Sequence, residues 1–119
     1  MSRDHRRLDV FTQADVPVLD VYRVSNDFPP HERYGLRSQL RRASVSTACN
    51  IVEGSARRTT REYVHFLNVA TGSAAEAEYL TTVAARLGLL PVGKADDLIR
   101  AYAKLSAGLR ALLRSLASE

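Results

Sequence analysis

Only one cysteine and no tryptophan occur in the chain. With Cys49 alone no internal disulfide can form, and a thiol in the middle of a helical apolar pattern reads as a small core hydrophobe in a reducing cytoplasm. The six glycines stand singly, so no glycine-rich phosphate loop can be built from them. His5, His31 and His65 are the only histidines. None has the spacing of a metal-ligand pair, which argues against a metal site. No apolar run approaches the roughly 18 residues that span a bilayer, and the charged first ten residues are unlike a signal peptide. No stretch alternates with period two, which excludes obvious strands. Neither a catalytic apparatus nor a cofactor site is visible in what remains.

Arginine is what the chain has in quantity. It makes up fifteen of the seventeen basic residues and suits bidentate contact with phosphate or carboxylate, although a GC-rich genome produces the same bias. Between His31 and Arg61 stand Arg33, Arg37, Arg41, Arg42, Arg57, Arg58 and Arg61 against Glu32 and Glu53, a local excess of +5 in a chain of net charge +4. At 119 residues, 45% hydrophobic and 25% charged, the chain fits one soluble domain with a real core.

Residues 1–11 carry Arg3, Arg6 and Arg7 without apolar periodicity, so a mobile basic arm is expected ahead of a single domain over 12–117. Asp15 as N-cap would set Pro17 in a first turn, starting a helix over about 15–27 that Phe28-Pro29-Pro30 stops. A second helix over about 32–53 would end on Gly54 as its C′ residue. Thr59 and Glu62 form a capping box for a third over about 60–87, closed by Gly88. The fourth, about 94–117, bears Leu98, Tyr102, Leu105, Leu109, Leu112 and Leu116 at heptad steps. Short connections make successive helices antiparallel neighbours, so the expected fold is an all-α, up-down-up-down four-helix bundle.

The second helix has an unusual stripe. Leu36, Leu40, Ala43, Thr47 and Ile51 share one face, and Gln39, Arg42, Ser46, Asn50 and Glu53 lie directly beside it. Polar groups beside a core need partners, so a buried network with a facing helix is expected, with Arg42 reaching Glu76 near the small residues Gly72 and Ser73. The stripe holds no histidine or cysteine nucleophile, and arginine cannot shuttle protons near neutral pH; its reading is structural.

These residues carry a family resemblance. Phe28-Pro29, Glu32-Arg33-Tyr34-Gly35-Leu36, Gln39-Leu40-Arg41-Arg42-Ala43, Ser46, Asn50-Ile51, Glu53-Gly54, Gly72-Ser73, Glu76 and Leu87-Gly88 occur in an order that resembles the bacterial four helix bundle protein family, over about residues 11–113. Its members were first noticed as products of reading frames inside intervening sequences of large-subunit ribosomal RNA. It includes the accessory variability determinant of diversity-generating retroelements, a basic pentamer that binds nucleic acid and a reverse transcriptase. For most members no activity is established. The resemblance implies a homopentamer with RNA, DNA or a reverse transcriptase as partner.

Helix faces point the same way. The third helix places Tyr63, Phe66, Leu67, Ala70, Ala74, Ala77 and Ala84 on one stripe, and His65, Val69, Gly72, Glu76, Tyr79 and Val83 on another. The second carries Ser38, Arg41, Val45, Ala48 and Val52 opposite its first stripe. Such outer faces suggest self-association, the alternative being a wide stripe that serves two bundle neighbours. Arg33, Arg37 and Arg41, at steps of four, form a ridge, and Arg57, Arg58 and Arg61 cluster at the hairpin end, together a candidate phosphate-binding surface. Solvation, or intersubunit pairing with Asp20, Asp27, Asp96 and Asp97, is the bland alternative. Tyr22, Tyr34, Tyr63, Tyr79 and Tyr102 are expected to fill the core, leaving no aromatic among the arginines to stack bases. The functional expectation is a non-enzymatic oligomer acting as an accessory nucleic-acid-binding or scaffolding factor. The alternative is a protein-interaction module that never touches nucleic acid.

Overall fold

Four apolar helical stripes close on one another in the computed structural model, which describes residue 4 and residues 8–118. The helices are α1 (Asp9–Ser25), α2 (Leu36–Ser55), α3 (Thr60–Arg86) and α4 (Val92–Ala117), with one 3₁₀ turn, Pro30–Glu32, between α1 and α2. Both α1 and α3 pack on α2 and on α4, giving an antiparallel up-down-up-down bundle of 46 × 23 × 19 Å. Among the described residues there is no strand, and no helix is long and apolar enough to cross a membrane.

Helix α1 starts earlier than its local signals suggest. Asp15 lies inside it rather than capping it, and Leu8 is the N-cap, with no side-chain cap. Val10, Ala14, Pro17 and Val21 form a buried stripe, and packing along that stripe outweighs the roughly 3 kcal/mol that an interior proline costs. Gly108 of α4 makes room for it: a Cβ there would stand 2.9 Å from Gln13 Oε1 and 3.2 Å from Val10 Cγ1. The expected arm therefore loses residues 9–11 to the helix, while Arg3, His5, Arg6 and Arg7 lie outside the described residues.

Helix α2 begins at Leu36, whose N–H donates to Glu32 Oε1 at 3.0 Å, filling one of the orphan donors of the first turn. Arg33 and Tyr34 therefore sit in the turn ahead of the helix. Gly54 is not a C′ residue but a buried position within α2. A Cβ there would lie 3.0 Å from Phe66 Cβ and 3.1 Å from Tyr63 Cδ1, so its bare backbone permits the close approach of α2 and α3.

Local signals for α3 hold. Thr59 is its N-cap, accepting from the Glu62 N–H at 3.1 Å. At the other end Gly88 takes φ 72°, while the N–H groups of Gly88 and Leu89 donate to the carbonyls of Ala85 and Ala84 at 3.0 and 2.9 Å, the Schellman pattern. Helix α4 starts directly behind Pro91, and Leu98, Tyr102, Leu105, Leu109 and Leu116 of its seam are buried. The aromatic expectation is only half right. Tyr63 and Tyr102 are buried, but Tyr22, Tyr34 and Tyr79 are 40%, 87% and 63% exposed. Cys49 is exposed as well, not a core residue, because it falls on the flank of α2 that turns away from Ala43, Thr47 and Ile51.

Candidate nucleic-acid interface

The polar stripe of α2 divides where it meets α3. Ser46 and Asn50 are half-buried, while Gln39, Arg42 and Glu53 are exposed. Ser46 Oγ and Ser73 Oγ lie 3.0 Å apart across the α2–α3 contact. The Asn50 amide donates to the Ser46 carbonyl at 2.8 Å and to Ser46 Oγ at 3.1 Å. Arg42 and Glu76, expected to pair, are both exposed, and no hydrogen bond or ion pair joins them among the described residues. Desolvating a guanidinium between two closely packed helices would cost several kcal/mol, so small side chains take the contact and the charges stay in water. Glu53 pairs instead with Arg57, one turn on.

Arg42 belongs to a different assembly. An open groove of about 650 Å³ runs along the N-terminal half of α2, lined by Arg33, Arg37, Arg41, Arg42, Tyr22, Tyr34 and smaller neighbours, with no carboxylate among its lining residues. The turn ahead of α2 supplies Arg33 and Tyr34 to its lining; successive turns of α2 supply Arg37 and Arg41; and the last turns of α1 supply Tyr22. The ridge expected from spacing is present, although its first member precedes the helix.

Within the groove the arginines have different duties. Arg41 Nε donates to Ser25 Oγ at 2.8 Å, and its Nη2 donates to the Tyr22 carbonyl at 3.1 Å and to Asn26 Oδ1 at 3.0 Å. Its guanidinium also lies 4.4 Å from the centre of the Tyr22 ring. Arg41 thus caps the C-terminus of α1, where orphan carbonyls favour a cation. Burial, and then the neighbouring charge of Arg37, push the Arg41 guanidinium below its ordinary value. By contrast, Arg33, Arg37 and Arg42 make no side-chain hydrogen bond or ion pair among the described residues, and Arg33 touches only the Tyr34 ring, at 5.6 Å. These three carry charge available to an anion.

The remaining arginines gather elsewhere. From Arg41 to Ser55, the end of α2, the helix axis runs about 21 Å, and Arg57 follows in the turn beyond it. There a second pocket is lined by Arg57, Arg61, Glu62, His65 and Phe66. Arg57 lies 4.8 Å over the Phe66 ring and is paired with Glu53, so this end is partly neutralised. Arg58 is exposed and lines neither pocket. Sequence reasoning placed the arginines but missed the tyrosines among them. The Arg33-Tyr34 adjacency just ahead of Gly35 was the available signal for one; Tyr22 comes from another helix, and only tertiary packing brings it near.

The outer faces also separate. On α2, Val45, Ala48 and Val52 are half-buried and line a shallow open groove together with Phe11 and Val18 of α1. On α3, Val69 and Tyr79 are 40% and 63% exposed.

A family model described as 23S rRNA-intervening sequence protein matches residues 6–111. The fold is similar to the crystal structure of a protein of unknown function from the S23 ribosomal protein family of Bacteroides thetaiotaomicron. The TM-score is 0.81 at 15% identity, covering 87% of this chain and 97% of that one. No curated protein matches.

Proposed function

We propose that this chain, which belongs to the 23S rRNA-intervening sequence protein family, is a non-enzymatic cytoplasmic accessory factor that binds RNA or DNA as a homo-oligomer. The observation that carries this reading is the groove in which Arg33, Arg37 and Arg42 stand beside Arg41 with no carboxylate in the lining and no side-chain hydrogen bond or ion pair of their own among the described residues. Unneutralised guanidinium groups at close spacing attract phosphate, and repetition around a ring multiplies a charge that is modest in one chain. The family resemblance adds a pentamer as the assembly, and a reverse transcriptase or ribosomal RNA as the setting. Exposed Val69 and Tyr79 on α3 support self-association, and they equally suit the second reading, a module for another protein.

Fluorescence anisotropy across a salt series separates the readings. The first predicts affinity for RNA that falls steeply with salt, at a log–log slope of about −0.7 per phosphate neutralised on a single strand. The variant Arg33→Gln/Arg37→Gln/Arg42→Gln flattens that slope while leaving the fold intact. Absence of binding at low salt by the native assembly refutes it and favours the protein-partner reading.

A further inference from the structure

We infer that the groove selects unpaired strands: one base stacks on Tyr34 while Arg37 and Arg42 hold the phosphates that flank it. This deepens the nucleic-acid reading above and rests on it. Tyr34 is 87% exposed in the turn just ahead of α2 and is one of the residues lining the arginine-rich groove. A tyrosine ring left in water gains nothing for the fold, since apolar surface stabilises a protein by leaving water.

The two tyrosines of the groove are not equivalent. Tyr22 already stacks against the Arg41 guanidinium at 4.4 Å, and Arg41 is in turn tied to Ser25, Asn26 and the Tyr22 carbonyl. That pair is a fixed wall. Tyr34 meets only the Arg33 guanidinium, at 5.6 Å, and keeps most of its surface open.

The ligand chemistry follows from this pairing of an open ring with free guanidinium groups. A duplex keeps its bases stacked inside and offers the groove only its backbone, so it can use the arginines but not the ring. An unpaired base presents a π-face next to its own phosphates and uses both. Carboxylates alone would satisfy Arg37 and Arg42 yet give Tyr34 nothing to stack on.

The test uses the full-length protein in its native assembly and three labelled probes of equal length: an oligouridine, the same strand paired with its complement, and an abasic strand. Wild type is expected to bind oligouridine about tenfold tighter than the abasic strand. Tyr34→Ala removes about that factor on oligouridine while leaving the duplex and abasic probes unchanged, and Tyr34→Phe retains it. Arg37→Gln/Arg42→Gln weakens all three. Because Tyr34 is so exposed, thermal melts of its variants should superimpose on wild type. If Tyr34→Ala has no effect, or weakens every probe equally, while the arginine variant still acts, base stacking is overturned and phosphate binding stands. If neither variant acts on any probe, the nucleic-acid reading falls too.

Discussion

The Tyr102 hydroxyl of α4 donates to Ser44 Oγ of α2 at 2.9 Å, joining helices at opposite corners of the bundle whose backbones do not meet. Both residues are fully buried. In a core of aliphatic side chains a lone hydroxyl would be costly; two that satisfy each other fix the register of α2 against α4.

Burial pushes the Tyr102 phenol up to about 12 from an ordinary 10.0, against the opposing pull of its hydrogen bond to Ser44 and with a smaller upward push from Asp20. Between those values the unfolded chain has released the proton and the folded chain has not. The folded state binds more protons there, so stability falls as pH rises through that window, by about 2–3 kcal/mol in all. Urea unfolding from neutral pH to pH 12 should show the decline. Tyr102→Phe should remove most of that slope, at a cost of about 1–2 kcal/mol at neutral pH from the orphaned Ser44 hydroxyl.

Arg41 and Arg37 are neighbours in the groove with different expected phenotypes. Arg41→Gln loses the bonds to Ser25, Asn26 and the Tyr22 carbonyl and should destabilise by about 1–2 kcal/mol. Arg37→Gln should stay within about 0.5 kcal/mol of wild type. Equal urea midpoints for the two would refute the structural role of Arg41.

The same contrast applies along the polar stripe. Asn50→Ala removes the bonds to Ser46 and is expected to cost about 1 kcal/mol, whereas Arg42→Ala, at an exposed position, should cost less than about 0.5 kcal/mol. Thermal melts of the two variants measure the difference.

Gly54→Ala tests packing against propensity. Alanine is the better helix former by about 1 kcal/mol, yet its Cβ would press on Phe66 and Tyr63 at 3.0 and 3.1 Å. Overpacking of about 1–3 kcal/mol should win, and a lowered urea midpoint is the expected result.

Self-association is tested by light scattering behind size exclusion. A mass several times 13.2 kDa is expected at micromolar concentration, and Tyr79→Glu should lower it if α3 supplies the interface. A monomer at every concentration would refute the oligomer.

Periodicity alone is enough for the number of helices, the bundle class and the core faces, because it is a local record of which side must leave water: Leu36, Leu40, Ala43, Thr47 and Ile51 are buried as their spacing requires. Thr59 and Gly88 marked the ends of α3 because capping chemistry acts within a few residues. The rest depends on how the helices pack. Asp15 and Gly54 looked like helix ends, but packing of Val10 on α4, and of Gly54 on Tyr63 and Phe66, carried both helices past them. Arg42 and Arg41 exchanged expected roles, since whether a charge stays in water or caps another helix depends on what α1 and α3 bring alongside. Tyr22 and Arg41 are nineteen residues apart in the chain. No local pattern records their stacking, because it exists only once α1 has docked on α2.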